Sequence, residues 1–167
     1  SQNTSDSASQ PAHESLLDRY DGEHQSLADA LADADHATLA ETIRSAGLYN
    51  QKAEKIIGAA EWVLAEFGDE AAFDEFVVSE DPETVRETLL SIDGVGPKTA
   101  DCVLLFAGGR GGVFPVDTHV HRIARRMGLA PADADHEAVR AALEAAVPAE
   151  KCGFGHTAMI QFGREYC

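Results

Sequence analysis

The chain has 167 residues, of which 44% are hydrophobic, and it carries a formal net charge of −16 at pH 7. This length and composition suit a folded protein of one domain or two small lobes, and no apolar run approaches the ~20 residues of a membrane span. Three cysteines at uneven spacing do not form a disulfide framework, which predicts a protein of the reducing cytoplasm.

Acidic residues outnumber basic residues by 29 to 13. This balance favours a salt-adapted surface on which carboxylates hold hydrated cations. Proteins that bind nucleic acid commonly have a basic footprint, so composition alone also allows an acidic surface that has no nucleic-acid role. Basic side chains do cluster locally at Arg110, Arg122, Arg125 and Arg126, and together with Lys98 they could form a positive strip.

Helical patterns begin at the first residues and continue along most of the chain. Residues 1–19 have helix-compatible spacing, and two short helices are predicted over residues 27–31 and 39–46. Residues 52–67 carry apolar side chains at i, i+3 and i+4 intervals, which predicts an amphipathic helix closed by Gly68.

A strong helix start follows at Asp81 and Pro82, with the aspartate as N-cap and the proline in the first helical position. The sequence predicts a helix–hairpin–helix over about residues 82–107, whose turn is the G-V-G at residues 94–96. Glycines in such a turn allow positive φ and a close approach of the backbone to a ligand.

The glycine-rich stretch at residues 108–112 is the best candidate for a boundary between two lobes. We therefore expect a first lobe over residues 1–110, which contains the hairpin, and a second lobe over residues 111–167. A cleft is expected where the lobes meet.

The second lobe opens with a short apolar extended segment at residues 113–116. Asp117 then caps a helix that reaches about Met127, and two further helices are predicted at residues 136–146 and 154–166. No strand pairing is predicted, so the fold class is all-α.

The hairpin and the start of the later helix carry the chemistry. A turn that leads directly into a helix presents backbone N–H groups at a positive helix end, which suits a phosphate. Lys98 lies in the first turn of that helix, and Asp117 comes from a later element. A lysine amine beside a phosphodiester, with a carboxylate at hand, suits Schiff-base chemistry at a sugar carbon. A plain turn between helices, a solvated lysine and an ordinary N-cap are the alternatives.

These residues resemble the helix-hairpin-helix DNA glycosylases, the endonuclease III (HhH-GPD) superfamily. The matching segments, in the family's order, are G-L-Y-N-Q-K-A at residues 47–53, I-D-G-V-G-P-K-T-A at 92–100, V-D-T-H-V-H-R at 116–122 and F-G-R-E-Y-C at 162–167. They extend over most of the chain, which makes the resemblance specific.

The resemblance implies a two-lobed helical glycosylase fold and a role for each matching residue. Lys98 corresponds to the nucleophile of members that remove a base and then cleave the strand, and Asp117 corresponds to the catalytic carboxylate. Gln2 would fill the gap left by the flipped-out nucleotide, since the glycosidic bond is inaccessible in a stacked duplex. The remaining predicted DNA-binding residues are Gly94, Val95, Gly96, Lys98, Thr99 and Arg122.

The resemblance also implies a substrate, a partner and a cofactor. The substrate would be a damaged base, an oxidised pyrimidine by closest likeness, or an abasic site in double-stranded DNA, bound by a nucleoid-associated monomer with no membrane partner. Cys167 matches the first ligand of a [4Fe–4S] cluster whose other ligands are missing here. We expect the cluster in a full-length protein, of which this chain would be a fragment lacking the N-terminus and most of the cluster loop.

Other functions stay open at this point. The chain could be a non-catalytic helix-hairpin-helix module that only holds DNA by its backbone. It could be a monofunctional glycosylase for mismatched, oxidised-purine or alkylated bases. A truncated chain could also fold without being active.

Overall fold

The computed structural model describes residues 6–22 and 25–166, and over these ranges the chain is helical. The helices are α1 Asp6–Tyr20, α2 Leu27–Ala32, α3 His36–Thr42, α4 Tyr49–Phe67, α5 Glu70–Ser79, α6 Pro82–Leu90, α7 Pro97–Cys102, α8 Thr118–Arg126, α9 His136–Ala146 and α10 Cys152–Tyr166. The described ranges hold only one β feature, an isolated bridge between Gly22 and Gln25. The all-α prediction is confirmed. No helix within these ranges has the length and apolarity to cross a membrane.

Short polar side chains and glycines set the helix boundaries. The Asp81 carboxylate accepts the Thr84 N–H at 3.1 Å, and Pro82 opens α6 as predicted. Asp35 caps α3 by accepting the Thr38 N–H at 2.9 Å, so this helix begins before the expected residue 39. Gly68, with a φ of 86°, ends α4.

Helix α5 is absent from the predicted elements. It follows Gly68 almost directly, and the Asp69 carboxylate caps it by accepting the Ala72 N–H at 2.8 Å. Its first residue, Glu70, also accepts the backbone N–H of Ala28 at 2.9 Å.

The chain forms two compact units, each with its own apolar core. The first unit takes the chain up to Phe73 together with Ile92–Gly94, and the second takes Asp74–Ser91 together with the chain from Val95 onward. The first core consists of Ala12, Leu16, Leu31, Leu39, Ala40, Ile43, Ala46, Ala53 and Ala60. The second consists of Phe114, Val116, Val120, Ala124, Ala130, Ala134, Val139, Leu143 and Cys152.

The glycine-rich stretch expected to separate the lobes lies within the second unit. The backbone N–H of Arg110 donates to Leu104 O at 3.0 Å, and that of Gly112 donates to Ala149 O at 3.1 Å. These bonds tie the stretch to residues on both sides of it in the chain.

Candidate active site

The G-V-G turn lies between α6 and α7, and a Cβ built on its first glycine, Gly94, would lie 2.5 Å from Cδ of Lys55. Gly94 has a φ of 83°, a left-handed conformation that side chains disfavour. Gly96 caps α7 in extended conformation, and a Cβ built there would meet no heavy atom within 4 Å. Ile92 is buried and Val95 is half-buried. The contact between a phosphate and the amides of Gly94, Val95 and Gly96 stays a prediction.

Lys98 is the second residue of α7 and is half-buried. Cys102 follows one turn later on the same helix face. Burial raises the pKa of the Cys102 thiol, whereas the charge of Lys98 and its hydrogen bond to the thiol act in the opposite direction. The Lys98 amine therefore lies beside the Cys102 thiol. Both residues belong to α7, the short helix that directly follows the hairpin turn.

Asp117 is the N-cap of α8, as predicted. Its backbone is extended and its Oδ1 accepts the Val120 N–H at 2.8 Å. The carboxylate is half-buried. A capping bond of this kind holds the side chain in one orientation. The catalytic role of Asp117 stays a prediction.

One buried histidine was not among the predicted site residues. The charges of Lys98 and Asp117 both affect the pKa of this residue, His156. His156, in α10, is 4% exposed, and its Nδ1 lies 2.9 Å from Pro115 O, to which it donates. Burial lowers the pKa of His156, the bond to Pro115 raises it, the charge of Lys98 lowers it and that of Asp117 raises it. The second unit therefore brings Lys98 and Asp117 to the surroundings of one imidazole. The sequence signal was a lone histidine within an apolar, glycine-containing stretch.

We expect His156 to make the stability of the protein depend on pH. Because its pKa in the folded protein is lowered, its contribution is complete above the ordinary pKa of about 6.5 and is lost as the pH falls toward the folded value. The free energy of unfolding should fall with a slope of at most about 1.4 kcal/mol per pH unit, and His156→Gln should reduce that slope. Urea unfolding of both proteins between about pH 7.5 and 5.5 measures it. If the free energy of unfolding depends on pH equally steeply in His156→Gln and in the wild-type protein, His156 is not the source of this dependence.

The predicted arginines mostly contact atoms of the protein itself. Arg122 is half-buried and its Nη2 donates to His119 Nδ1 at 3.0 Å. The side chain of Arg110 donates to Glu80 O at 2.6 Å, and that of Arg125 donates to Ala132 O. Arg126 and the predicted DNA-binding Thr99 are exposed. A DNA contact by Arg122 or Thr99 stays a prediction.

Helices α8 and α10 approach each other closely at Gly163. A Cβ built on this glycine would lie 2.9 Å from His119 Cβ and 2.9 Å from Ile123 Cδ1. No φ in the left-handed range is involved, so the requirement for glycine at this position is one of space.

We expect Gly163→Ala to destabilise the protein by about 1–3 kcal/mol, because the methyl group must displace His119 or Ile123. Gly58→Ala in α4 is the matched control, since a Cβ there meets nothing within 4 Å. That control should stabilise by about 0.5–1 kcal/mol through helix propensity alone. Denaturant unfolding compares the two, and equal stability of both variants would rule out the close contact.

Two predicted site residues, Gln2 and Cys167, lie outside the described residues. The cysteines do not fit an iron–sulfur cluster within this chain alone, because a [4Fe–4S] cluster commonly takes four thiolates and the sequence has three cysteines. Cys152 is fully buried, and Cys102 lies on α7. Among the residues described, no group of three or more His, Cys, Asp or Glu side chains is arranged to hold a metal ion.

Comparison with known proteins assigns the family. The model of the HhH-GPD superfamily of base excision DNA repair proteins matches residues 1–149. The chain therefore belongs to this superfamily, and its all-α fold agrees with that of the solved members.

Within the superfamily, the chain is similar to proteins named endonuclease III. That of Thermotoga maritima is 31% identical over 167 residues, which are 100% of this chain and 70% of that protein. That of Bacillus subtilis is 33% identical over 129 residues, which are 77% of this chain and 53% of that protein. A solved structure of a trapped endonuclease III–DNA covalent intermediate has a TM-score of 0.80 and 29% identity, covering 100% of this chain and 70% of that one. The chain thus spans between about half and 70% of these relatives.

Proposed function

We propose that this chain acts as a base-excision-repair DNA glycosylase with AP-lyase activity on a damaged base, an oxidised pyrimidine by preference, in duplex DNA. The observation that carries this proposal is the pair of Lys98 and Asp117. One stands in the first turn after the hairpin and the other caps a helix, and both charges act on the same buried His156. Family membership and likeness to proteins named endonuclease III support it.

In this proposal Lys98 is the nucleophile. Its amine attacks C1′ of the damaged nucleotide, a C1′–N bond forms, and the bond to the base breaks with a proton delivered to the leaving base. The C1′–O4′ bond then breaks as the nitrogen loses a proton and O4′ gains one, which opens the sugar ring to an imine. This imine makes the C2′ proton acidic. Loss of that proton then expels the 3′ phosphate by β-elimination.

Asp117 has the complementary role in the proposal. A carboxylate held by its capping bond stabilises the positive charge that develops at the sugar and assists the proton transfers around the amine. The N–H groups at the hairpin turn hold the phosphodiester backbone without reading sequence. Arg122, Thr99 and the gap-filling Gln2 complete the proposed contacts, made by a monomer on double-stranded DNA.

No step is assigned to an iron–sulfur cluster. Cys167 stays the predicted first ligand of such a cluster, and the covalent steps proposed here are assigned to Lys98 and Asp117. The salt-adapted character of the acidic surface also stays a proposal. Concentrated salt screens the repulsion between the acidic surface and DNA, so activity should be assayed in high salt.

Base release tests the proposal. A duplex with one oxidised pyrimidine, incubated with the protein in high salt, should yield free base and a strand broken 3′ to the lesion. Release of the base with an intact strand would instead indicate a monofunctional glycosylase. Binding without base release from duplexes carrying oxidised, mismatched or alkylated bases would support the non-catalytic module and contradict the proposal.

A further inference from the structure

A network of charged side chains includes a buried carboxylate on the helix of the proposed nucleophile. Asp101 stands one turn after Lys98 in α7 and is 1% exposed. Its Oδ1 lies 2.8 Å from Nε of Arg86 in α6, and its Oδ2 lies 3.3 Å from Nε of Arg140 in α9. Two arginines from two helices thus converge on one buried carboxylate. Buried ion pairs often add little net stability, and in some proteins they instead fix the geometry of the elements that they join.

The network continues to the segment that carries Asp117. Arg140 Nε lies 3.0 Å from Glu144 Oε1, and the same Glu144 oxygen accepts the backbone N–H of Phe114 at 3.0 Å. Phe114 is fully buried, and only Pro115 and Val116 separate it from Asp117. A continuous series of contacts therefore runs from the helix of Lys98 through Asp101, Arg140 and Glu144 to the backbone just before Asp117.

We propose that Asp101, Arg140 and Glu144 are positioning residues that hold Asp117 in register with Lys98. This inference rests on the proposed function. Two catalytic groups on different elements can act on one sugar only when both are placed accurately, and an error of about 1 Å can cost 100-fold in rate. Charged groups shielded from water hold such a distance firmly, because their interactions are strong there and poorly screened by salt.

Another carboxylate of the same network supplies a matched control. Glu137 pairs with Arg86 at 2.7 Å and with Arg140 at 3.9 Å, but its side chain is 54% exposed. It lies at the solvent side of the two arginines, whereas Glu144 bridges Arg140 and the Phe114 backbone. Glu137→Gln removes a negative charge beside Arg86 and Arg140, and it leaves the contacts of Glu144 with Arg140 and with the Phe114 N–H in place.

The test is single-turnover trapping of the imine on abasic duplex DNA with borohydride, at saturating protein and corrected for the folded fraction. Glu144→Ala should slow trapping by about 10- to 100-fold while the Kd for DNA stays within about twofold. Glu144→Gln should recover most of the rate, because its amide oxygen can still accept the Phe114 N–H. Glu137→Gln should trap at the wild-type rate.

Two results would overturn the inference. One is a wild-type trapping rate in Glu144→Ala. The other is a loss of rate in Glu137→Gln as large as that in Glu144→Ala, which would reduce the network to a purely structural role. Absence of any adduct in the wild-type protein is a different failure, because it would refute the proposed lyase function itself and the positioning role along with it.

Discussion

Lys98→Gln is expected to eliminate the borohydride-trapped adduct between the protein and abasic duplex DNA. Glutamine has no amine that can form an imine, so the trapping rate should fall by about a thousandfold or more. DNA affinity should fall by less than about tenfold, since one of 13 basic side chains is lost. Denaturing gel electrophoresis of the reduced reaction measures the adduct, and a filter or anisotropy assay measures binding.

A second lysine provides the control for this experiment. Lys151 is exposed, in the short 3-10 helix Ala149–Lys151, and Lys151→Gln removes the same charge from another surface. That variant should form the adduct at the wild-type rate. If Lys98→Gln keeps the adduct, another amine is the nucleophile. If the wild-type protein makes an abasic product without any adduct, Lys98 only supports a monofunctional reaction.

Asp117→Asn should lower the rate of base excision by about 100- to 1,000-fold with little change in stability. Asparagine caps helices about as well as aspartate, so the bond to the Val120 N–H can persist while the negative charge is lost. The free energy of unfolding and the single-turnover excision rate, measured on the same preparation, separate the two roles of this residue.

Asp117→Ala complements that substitution. It removes both the charge and the cap, and should cost about 1 kcal/mol of stability in addition to the loss of rate. Asp117 would be only a structural cap if the asparagine variant excised the base at the wild-type rate while the alanine variant lost stability alone.

Local signals in the sequence predicted several of the helix starts. Asp81 with Pro82, and Asp117 before its helix, are capping patterns that act within a few residues, and both caps are present in the structure. Helix α5 was missed because it follows α4 almost directly. Gly68 indicated the end of α4, and the neighbouring Asp69 was not recognised as the cap of a new helix. The helix over residues 97–107 is also less regular than predicted, since its second half, Val103–Ala107, is π-helical.

The site was predictable only in part, for a physical reason. Lys98 and Asp117 each stand in a compact motif, so the sequence indicated both residues, although their roles stay predictions. His156 contacts Pro115 across 41 residues of sequence, and Glu144 contacts Phe114 across 30. Pairings of this range arise from helix packing, which no local pattern encodes. The residues that support the site are therefore visible only in the fold.

Locating the covalent bond tests directly whether Lys98 is the nucleophile. The wild-type protein is reduced with borohydride on an abasic duplex and digested, and the sugar-bearing peptide is sequenced by mass spectrometry. With lysine at only positions 52, 55, 98 and 151, each amine gives a distinct peptide. We expect the sugar remnant on Lys98. A remnant on any other amine of the chain, with Lys98 unmodified, would contradict this expectation.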